Sequence, residues 1–351
     1  MGRCNPDSRE PARVSGGFSP SDEGDAGAGV YPVNGKNYTL PDTPASGKMR
    51  PMTTRRAFLQ TLSTGVLASA AMPFGSMVPA WAATAPGEIS KPFAAGLALQ
   101  LYSLRHRFKA GDVDGALALT RAWGFRDVEG GAPEGMSAAD FATRLETHGL
   151  SAMGTGADFN ALGGDLGAAI KDAQALGAKY VMCAWIPHGK GFSLADAEKA
   201  VAAFNTAGAR FRAEGLTFMY HIHGYEFVPG PDGTLFDTIA KRTDPDLVHF
   251  EMDVFWVVRG GGQPVELFDR YPRRFRATHL KDMKKGTAVG DSTGSAPDDT
   301  NVPIGQGTID WPAVFRAAAR GGVEWHIIED ESPEVEAQVP VSLRYIAGLK
   351  L

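Results

Sequence analysis

The sequence predicts an α/β fold, a (β/α)8 TIM barrel in a single domain, and three observations carry that prediction. Eight strand-like apolar runs begin near Leu97, Phe125, Ser151, Ala178, Leu216, Val248, Phe275 and Glu324. Amphipathic segments separate most of them at roughly 30 residues, the length of one βα unit. Several of those segments stop at a glycine just before the next strand, namely Gly124, Gly149, Gly177, Gly215 and Gly322, where a left-handed helix cap suits glycine. A doubly wound sheet is the competing fold. No Gly-x-Gly-x-x-Gly follows the first strand, so no dinucleotide site is indicated.

The chain has 351 residues, 43% hydrophobic and 21% charged, with a formal charge of −5, an ordinary composition for one large α/β domain. The slight acidity gives no support for nucleic-acid binding, which calls for a basic face. Two cysteines, Cys4 and Cys183, imply no disulfide framework. Cys183 lies in the run Tyr180-Val181-Met182-Cys183-Ala184-Trp185 and reads as a small core residue rather than a nucleophile.

In chain order, residues 1–48 are rich in Gly, Pro, Asp and Ser without hydrophobic period, and read as a disordered or non-native extension. Met49 and Met52 stand just before a more recognisable start. Thr54-Arg55-Arg56-Ala57-Phe58-Leu59-Gln60 resembles the twin-arginine export motif, and a mildly apolar stretch leads to the small-x-small pattern Ala80-Trp81-Ala82-Ala83. Residues 49–85 are therefore expected to be a signal peptide. A membrane anchor is the alternative, but Gly65, Pro73 and Gly75 interrupt the apolar stretch. The expectation is a periplasmic or otherwise exported protein that engages the twin-arginine export machinery. That route delivers it where phosphorylated sugars are scarce, which favours an unphosphorylated substrate.

The barrel is expected over residues 92–351, with helices in Asp112–Trp123, Ser137–His148, Leu166–Leu176, Leu194–Glu214 and Pro312–Arg320. The stretch Lys284–Gly307, rich in Gly, Asp, Thr and Ser, is too long for an ordinary connection after the seventh strand. It reads as a lid or substrate loop on the active-site face, with a disordered insertion as the alternative.

Four strand-like runs each end in a metal-binding side chain: His221, Asp253, His279 and Glu329. Such groups are costly at the end of a buried strand unless they are paired or coordinate an ion. Four such endings on one rim point to a shared divalent cation. The mixed nitrogen and oxygen set suits Mn²⁺, Zn²⁺, Co²⁺ or Fe²⁺ better than Ca²⁺. Residues two apart on a strand share a face, which pairs His221 with His223, His279 with Lys281, and Glu329 with Glu331. Gln100, Tyr102, Glu129 and Trp256, at other strand ends, are candidates to line a sugar pocket, against ordinary packing at the barrel mouth.

Gln100-Leu101-Tyr102-Ser103-Leu104-Arg105, Tyr220-His221-Ile222-His223 with Glu226-Phe227, Asp253-x-x-Trp256, His279-Leu280-Lys281-Asp282-Met283 and Gly305-x-Gly307-x-Ile309-Asp310-Trp311 occur in order. Together they resemble the xylose isomerase-like TIM-barrel family, also called sugar phosphate isomerases/epimerases, over essentially all of residues 95–351. The resemblance implies a divalent-metal site from strands five to eight, on His221, Asp253, His279 and Glu329. It also implies a carbohydrate substrate and an isomerase, epimerase, dehydratase or lyase. Family epimerases commonly carry a glutamate where His221 stands, so one glutamate, Glu329, remains here of their pair of proton-exchanging bases. Many relatives with the histidine have Asn where this chain has Ile222.

The chemistry expected is proton abstraction next to a carbonyl, with the metal stabilising an enediolate. Glu329, His223 or Glu226 is the candidate general base. Lys281 is the group to stabilise negative charge or protonate a leaving oxygen. Sugar isomerase or epimerase is the first functional expectation. A lyase or dehydratase that eliminates from a keto sugar or 3-keto glycoside is the second, and a non-catalytic sugar-binding barrel the third.

Overall fold

The computed structural model describes residues 89–351. The extension at 1–48, the twin-arginine segment and its cleavage site, Met49, Met52 and Cys4 all lie outside the described residues. No helix among the described residues is long and apolar enough to cross a membrane.

Eight parallel strands close into a barrel: β1 (Gly96–Gln100), β2 (Asp127–Glu129), β3 (Ser151–Gly156), β4 (Tyr180–Cys183), β5 (Thr217–His221), β6 (Val248–Asp253), β7 (Phe275–Leu280) and β8 (Trp325–Ile328). Each strand pairs with its neighbours in sequence, and β8 closes on β1. The outer helices are α1 (Val113–Ala122), α2 (Ala138–Thr147), α3 (Gly167–Leu176), α4 (Leu194–Ala213), α5 (Leu235–Arg242), α6 (Pro264–Arg270), α7 (Trp311–Gly321) and α8 (Val335–Gly348). The eight strands start within about two residues of the positions read from the apolar runs. Asp112, Ser137 and Ser193 cap α1, α2 and α4 by accepting backbone N–H groups, which fixes where those helices begin. Gly177 (φ 68°) and Gly322 (φ 80°) end α3 and α7 in the left-handed conformation.

Alternation along each strand sorts side chains into two layers. On β5, Phe218 and Tyr220 join the large core between sheet and helices, whereas Met219 faces the interior with Ala98, Met182, Ala277 and Ile327. That small apolar plug fills the barrel's waist. Above it, toward the C-terminal strand ends, the inward positions become polar. Cys183 is fully buried in the outer core, and burial pushes its thiol up to about 12, as befits a packing residue.

The long stretch after β7 is ordered by one carboxylate. Asp282 is buried; its Oδ2 accepts from Gly305 N (2.8 Å), Gly307 N (3.1 Å) and Trp311 Nε1 (2.9 Å), and its Oδ1 from Met283 N (2.8 Å). A Cβ at Gly307 would collide with this carboxylate and with the Met283 carbonyl, so glycine is required for the close approach. A two-residue hairpin, Asp282–Met283 with Asn301–Val302, pins the stretch further. Its middle is held by Arg259, which bonds Asp291 at 2.7 Å and the Ala288 carbonyl. Gly294 rests against Tyr225 and Trp185.

Candidate metal centre

The parallel register explains why the site residues meet. β5 and β6 place His221 beside Glu251, β6 and β7 place Asp253 beside His279, and Glu329 follows the last residue of β8. His221, Asp253 and His279 each offer a ligand atom within 4.8 Å of the others, and all three are buried. Glu329 adjoins them, its Oε2 lying 3.1 Å from His279 Nδ1. The expected quartet thus stands in one cluster.

Asp253 shows how local structure divides the work of one side chain. It caps the short helix Val254–Arg259 with Oδ1, which accepts Trp256 N–H at 2.9 Å. Its Oδ2 is buried without a hydrogen-bond partner, although Lys281 Nζ is 3.3 Å and His221 Nε2 3.8 Å away. An unpartnered buried carboxylate oxygen between two imidazoles fits a divalent cation with nitrogen and oxygen ligands. Burial raises the Asp253 carboxyl to about 6 despite the nearby Lys281.

Lys281 carries no exposed side-chain surface. Its ammonium lies 2.7 Å from Glu329 Oε2, 3.0 Å from Glu331 Oε1 and 3.3 Å from Asp253. Burial pulls its pKa down, but Asp253, Glu329 and Glu331 together hold it well above the usual lysine range. The group is a charged ammonium, not a free amine poised to form a Schiff base. Glu329 is the converse: burial works against its charge, and Lys281 and His279 keep it well below the usual carboxylate range.

His223 projects from the loop after β5, stacked on Trp256 with ring centroids 5.4 Å apart and edge-on to Trp185 at 5.3 Å. Its Nδ1 is buried and has no partner. Burial, aided by Lys281, depresses its pKa to about 3, so the ring is neutral. The Trp256 Nε1 is likewise unpartnered. These two groups and the Trp185 face form a wall with aromatic surface and free polar atoms, suited to a ring bearing hydroxyls.

Three sequence-derived candidates are engaged in buried hydrogen bonds. Gln100 and Glu129, expected to line a sugar pocket, are buried in mutual contact: Gln100 Nε2 donates to Glu129 Oε2 at 2.8 Å, and that oxygen lies 2.8 Å from His279 Nε2. Glu226 is enclosed among Tyr220, whose hydroxyl donates to it, and the His223 main-chain N–H at 3.0 Å. Through the His223 N–H it braces the loop that carries that residue. Tyr102 stays at the rim under the Arg105 guanidinium, 4.8 Å from its ring centroid.

Sequence reasoning passed over Glu251. It accepts from His221 Nδ1 at 2.9 Å and lies 3.2 Å from His279 Nε2, forming a second buried group with Glu129. Burial, followed by the neighbouring Glu129, pushes its carboxyl well above the usual range. The signal was present: Glu251 precedes Asp253 by two residues, so both point inward.

Glu226 supports a test of its own. Burial lifts its carboxyl to about 7 from an ordinary 4.5, over opposing bonds from Tyr220 and His223. The folded protein then binds this proton more tightly than the unfolded chain does. Its contribution to stability is full below pH 4.5 and is lost as the pH rises through 7, by on the order of 3 kcal/mol. Urea unfolding at pH 5 and pH 7.5 should therefore show a smaller difference in Glu226→Gln than in the wild type. Equal differences in the two proteins would refute the assignment.

Comparison with known proteins agrees with this architecture. An inosose dehydratase from Lacticaseibacillus casei is 28% identical over 149 residues, 40% of this chain and 49% of the relative, so the chain spans about half the length of the curated relative it matches. A sugar phosphate isomerase/epimerase from Parabacteroides distasonis superposes with a TM-score of 0.59 at 24% identity, covering 73% of this chain and 94% of that one. The IolI protein, solved with a bound zinc atom, superposes with a TM-score of 0.54 at 16% identity over 71% of this chain and 95% of its own. At these identities the two structures speak for the fold. The sequence profile of the xylose isomerase-like TIM barrels matches residues 117–349, and this chain belongs to that enzyme family.

Proposed function

We propose that the protein is a divalent-metal-dependent dehydratase of a polyhydroxylated ketone, an inosose or unphosphorylated keto sugar. His221, Asp253, His279 and Glu329 would hold the ion, which when bound polarises the ketone and acidifies the adjacent C–H. The neutral His223 takes that proton on its free Nδ1. Lys281 gives a proton to the departing β-hydroxyl. One C–H and one C–O bond break, a C=C bond forms, and water leaves. Glu331, 3.0 Å from Lys281 and partly exposed, connects the ammonium to solvent for reprotonation. Trp256 and Trp185 pack against the substrate ring and keep bulk water from the reacting carbon.

The observation that carries this reading is the buried Lys281 ammonium fixed beside Glu329 and Asp253 of the quartet, a proton donor already in place for a leaving hydroxyl. The similarity to the inosose dehydratase of L. casei supports the substrate class. The twin-arginine-like segment supports an unphosphorylated substrate, since that route would deliver the enzyme where phosphorylated sugars are scarce. Isomerisation or epimerisation is the second reading. It is favoured by the strength with which Asp253, Glu329 and Glu331 retain the Lys281 proton, which suits holding an enediolate better than releasing an acid proton.

Incubation of the metal-loaded enzyme with inososes and keto sugars in deuterated water separates the two by mass spectrometry. Dehydration gives a product lighter by one water. Isomerase or epimerase action gives unchanged composition with deuterium incorporated, which would displace the first reading. Neither change across the panel would leave a sugar-binding barrel.

A further inference from the structure

We infer that Glu251 is the positioning residue that makes a histidine at position 221 serviceable as a metal ligand, an inference that rests on the metal-centre reading above. A carboxylate ligand presents an acceptor oxygen in any rotation. An imidazole presents one only when its other nitrogen carries the hydrogen and the ring is turned correctly. His221 Nδ1 lies 2.9 Å from Glu251 Oε2, so the carboxyl group engages this ring nitrogen and fixes the rotation of the ring. With Nδ1 occupied, Nε2 is the nitrogen left facing Asp253 Oδ2, 3.8 Å away, and an Nδ1–H tautomer is the form in which it can ligate.

The pairing is built into the sheet. β5 and β6 are in parallel register with His221 opposite Glu251, so both side chains enter the interior at one level. Both are buried, which removes water as a competing partner for the ring nitrogen. The same Glu251 oxygen is 3.2 Å from His279 Nε2, and Glu129 holds that nitrogen at 2.8 Å, leaving His279 Nδ1 on the Glu329 side. Glu251 therefore steadies the rear of both histidines. Carboxylates behind metal-bound histidines typically matter by about 10–100-fold in metal affinity.

The test uses the purified full chain with Zn²⁺ alone, comparing wild type, Glu251→Gln and Glu251→Leu by calorimetry and metal analysis. The wild type is expected to bind one equivalent. Glu251→Leu, which has no acceptor, should bind one equivalent about 10–100-fold more weakly. Glu251→Gln, whose amide oxygen can still accept from Nδ1–H, should fall between them. In the metal-free protein, histidine ¹⁵N spectra should show His221 protonated on Nδ1 in the wild type and in Glu251→Gln, even if the leucine variant fails to fold. Unchanged affinity in a folded Glu251→Leu would overturn the inference, as would an Nε2–H tautomer in the wild type. Two equivalents in the wild type and one in the variant would overturn it differently, by making Glu251 a ligand of a second cation. Absence of Zn²⁺ binding in the wild type, with the Nδ1–H tautomer present, would instead strike the metal-centre reading and remove the inference with it.

Discussion

Replacement of Lys281 by methionine should lower turnover by about 10²–10⁴-fold, the range for loss of a positioned acid or charge-stabilising group. Methionine keeps most of the side-chain length, so the loss reports the ammonium and not an emptied space. The same change strips the cation from Asp253, Glu329 and Glu331, three carboxylates within 3.3 Å of it. Removing one partner of a buried ionic group costs about 3–5 kcal/mol. Loading the divalent ion should restore part of that stability, because positive charge returns to the same carboxylates. Turnover should remain low in the loaded variant. Steady-state kinetics on the product identified in deuterated water, together with urea unfolding with and without Zn²⁺, checks both halves. A kcat within a few-fold of wild type would exclude Lys281 from the chemistry under either reaction.

The second large effect is structural. Asp282→Asn should destabilise the barrel by about 3 kcal/mol, since an amide nitrogen would face N–H donors now satisfied by a carboxylate oxygen. Gly305 N, Gly307 N and Trp311 Nε1 converge on Oδ2 within 3.1 Å while Met283 N donates to Oδ1 at 2.8 Å, so whichever way the amide turns its nitrogen faces a donor. For a domain of this size the melting temperature should fall by roughly 6–12 °C. Proteolysis within 284–307 should accelerate more than elsewhere in the chain, because the carboxylate holds both ends of that stretch. An unaltered melt and cleavage pattern would show that Asp282 does not hold the loop.

The barrel was legible because its evidence is local and repeated. An apolar run, an amphipathic helix and a glycine recur with one spacing, and each strand start is fixed by the residues beside it. The clustering of His221, Asp253, His279 and Glu329 was legible for a related reason: a charged side chain ending a buried strand needs a partner wherever the strand goes. What the sequence concealed depends on neighbours far along the chain. That Glu129 supports His279 depends on a partner 150 positions along the chain, and nothing near Glu129 records the outcome. Glu226 looked catalytic because it follows the two histidines closely, yet Tyr220, six residues back, encloses it. Glu251 was hidden in plain alternation, since a strand that already ended in the candidate ligand Asp253 offered no reason to ask for a second carboxylate. The two motifs containing Asp282 and Gly305-x-Gly307 were visible separately. Their mutual dependence required the fold.

Lys281 and Asp282 are consecutive residues whose side chains depart to opposite sides, one into the carboxylate cluster and the other into the loop. A single peptide plane thus separates the ammonium's seat from the loop's mooring. If the loop swung outward as one piece, it would drag the ammonium out of register with Glu329 at every turnover. The loop is thus moored at the same strand end that seats the ammonium, so a substitution at either residue is felt on both sides of that one peptide plane.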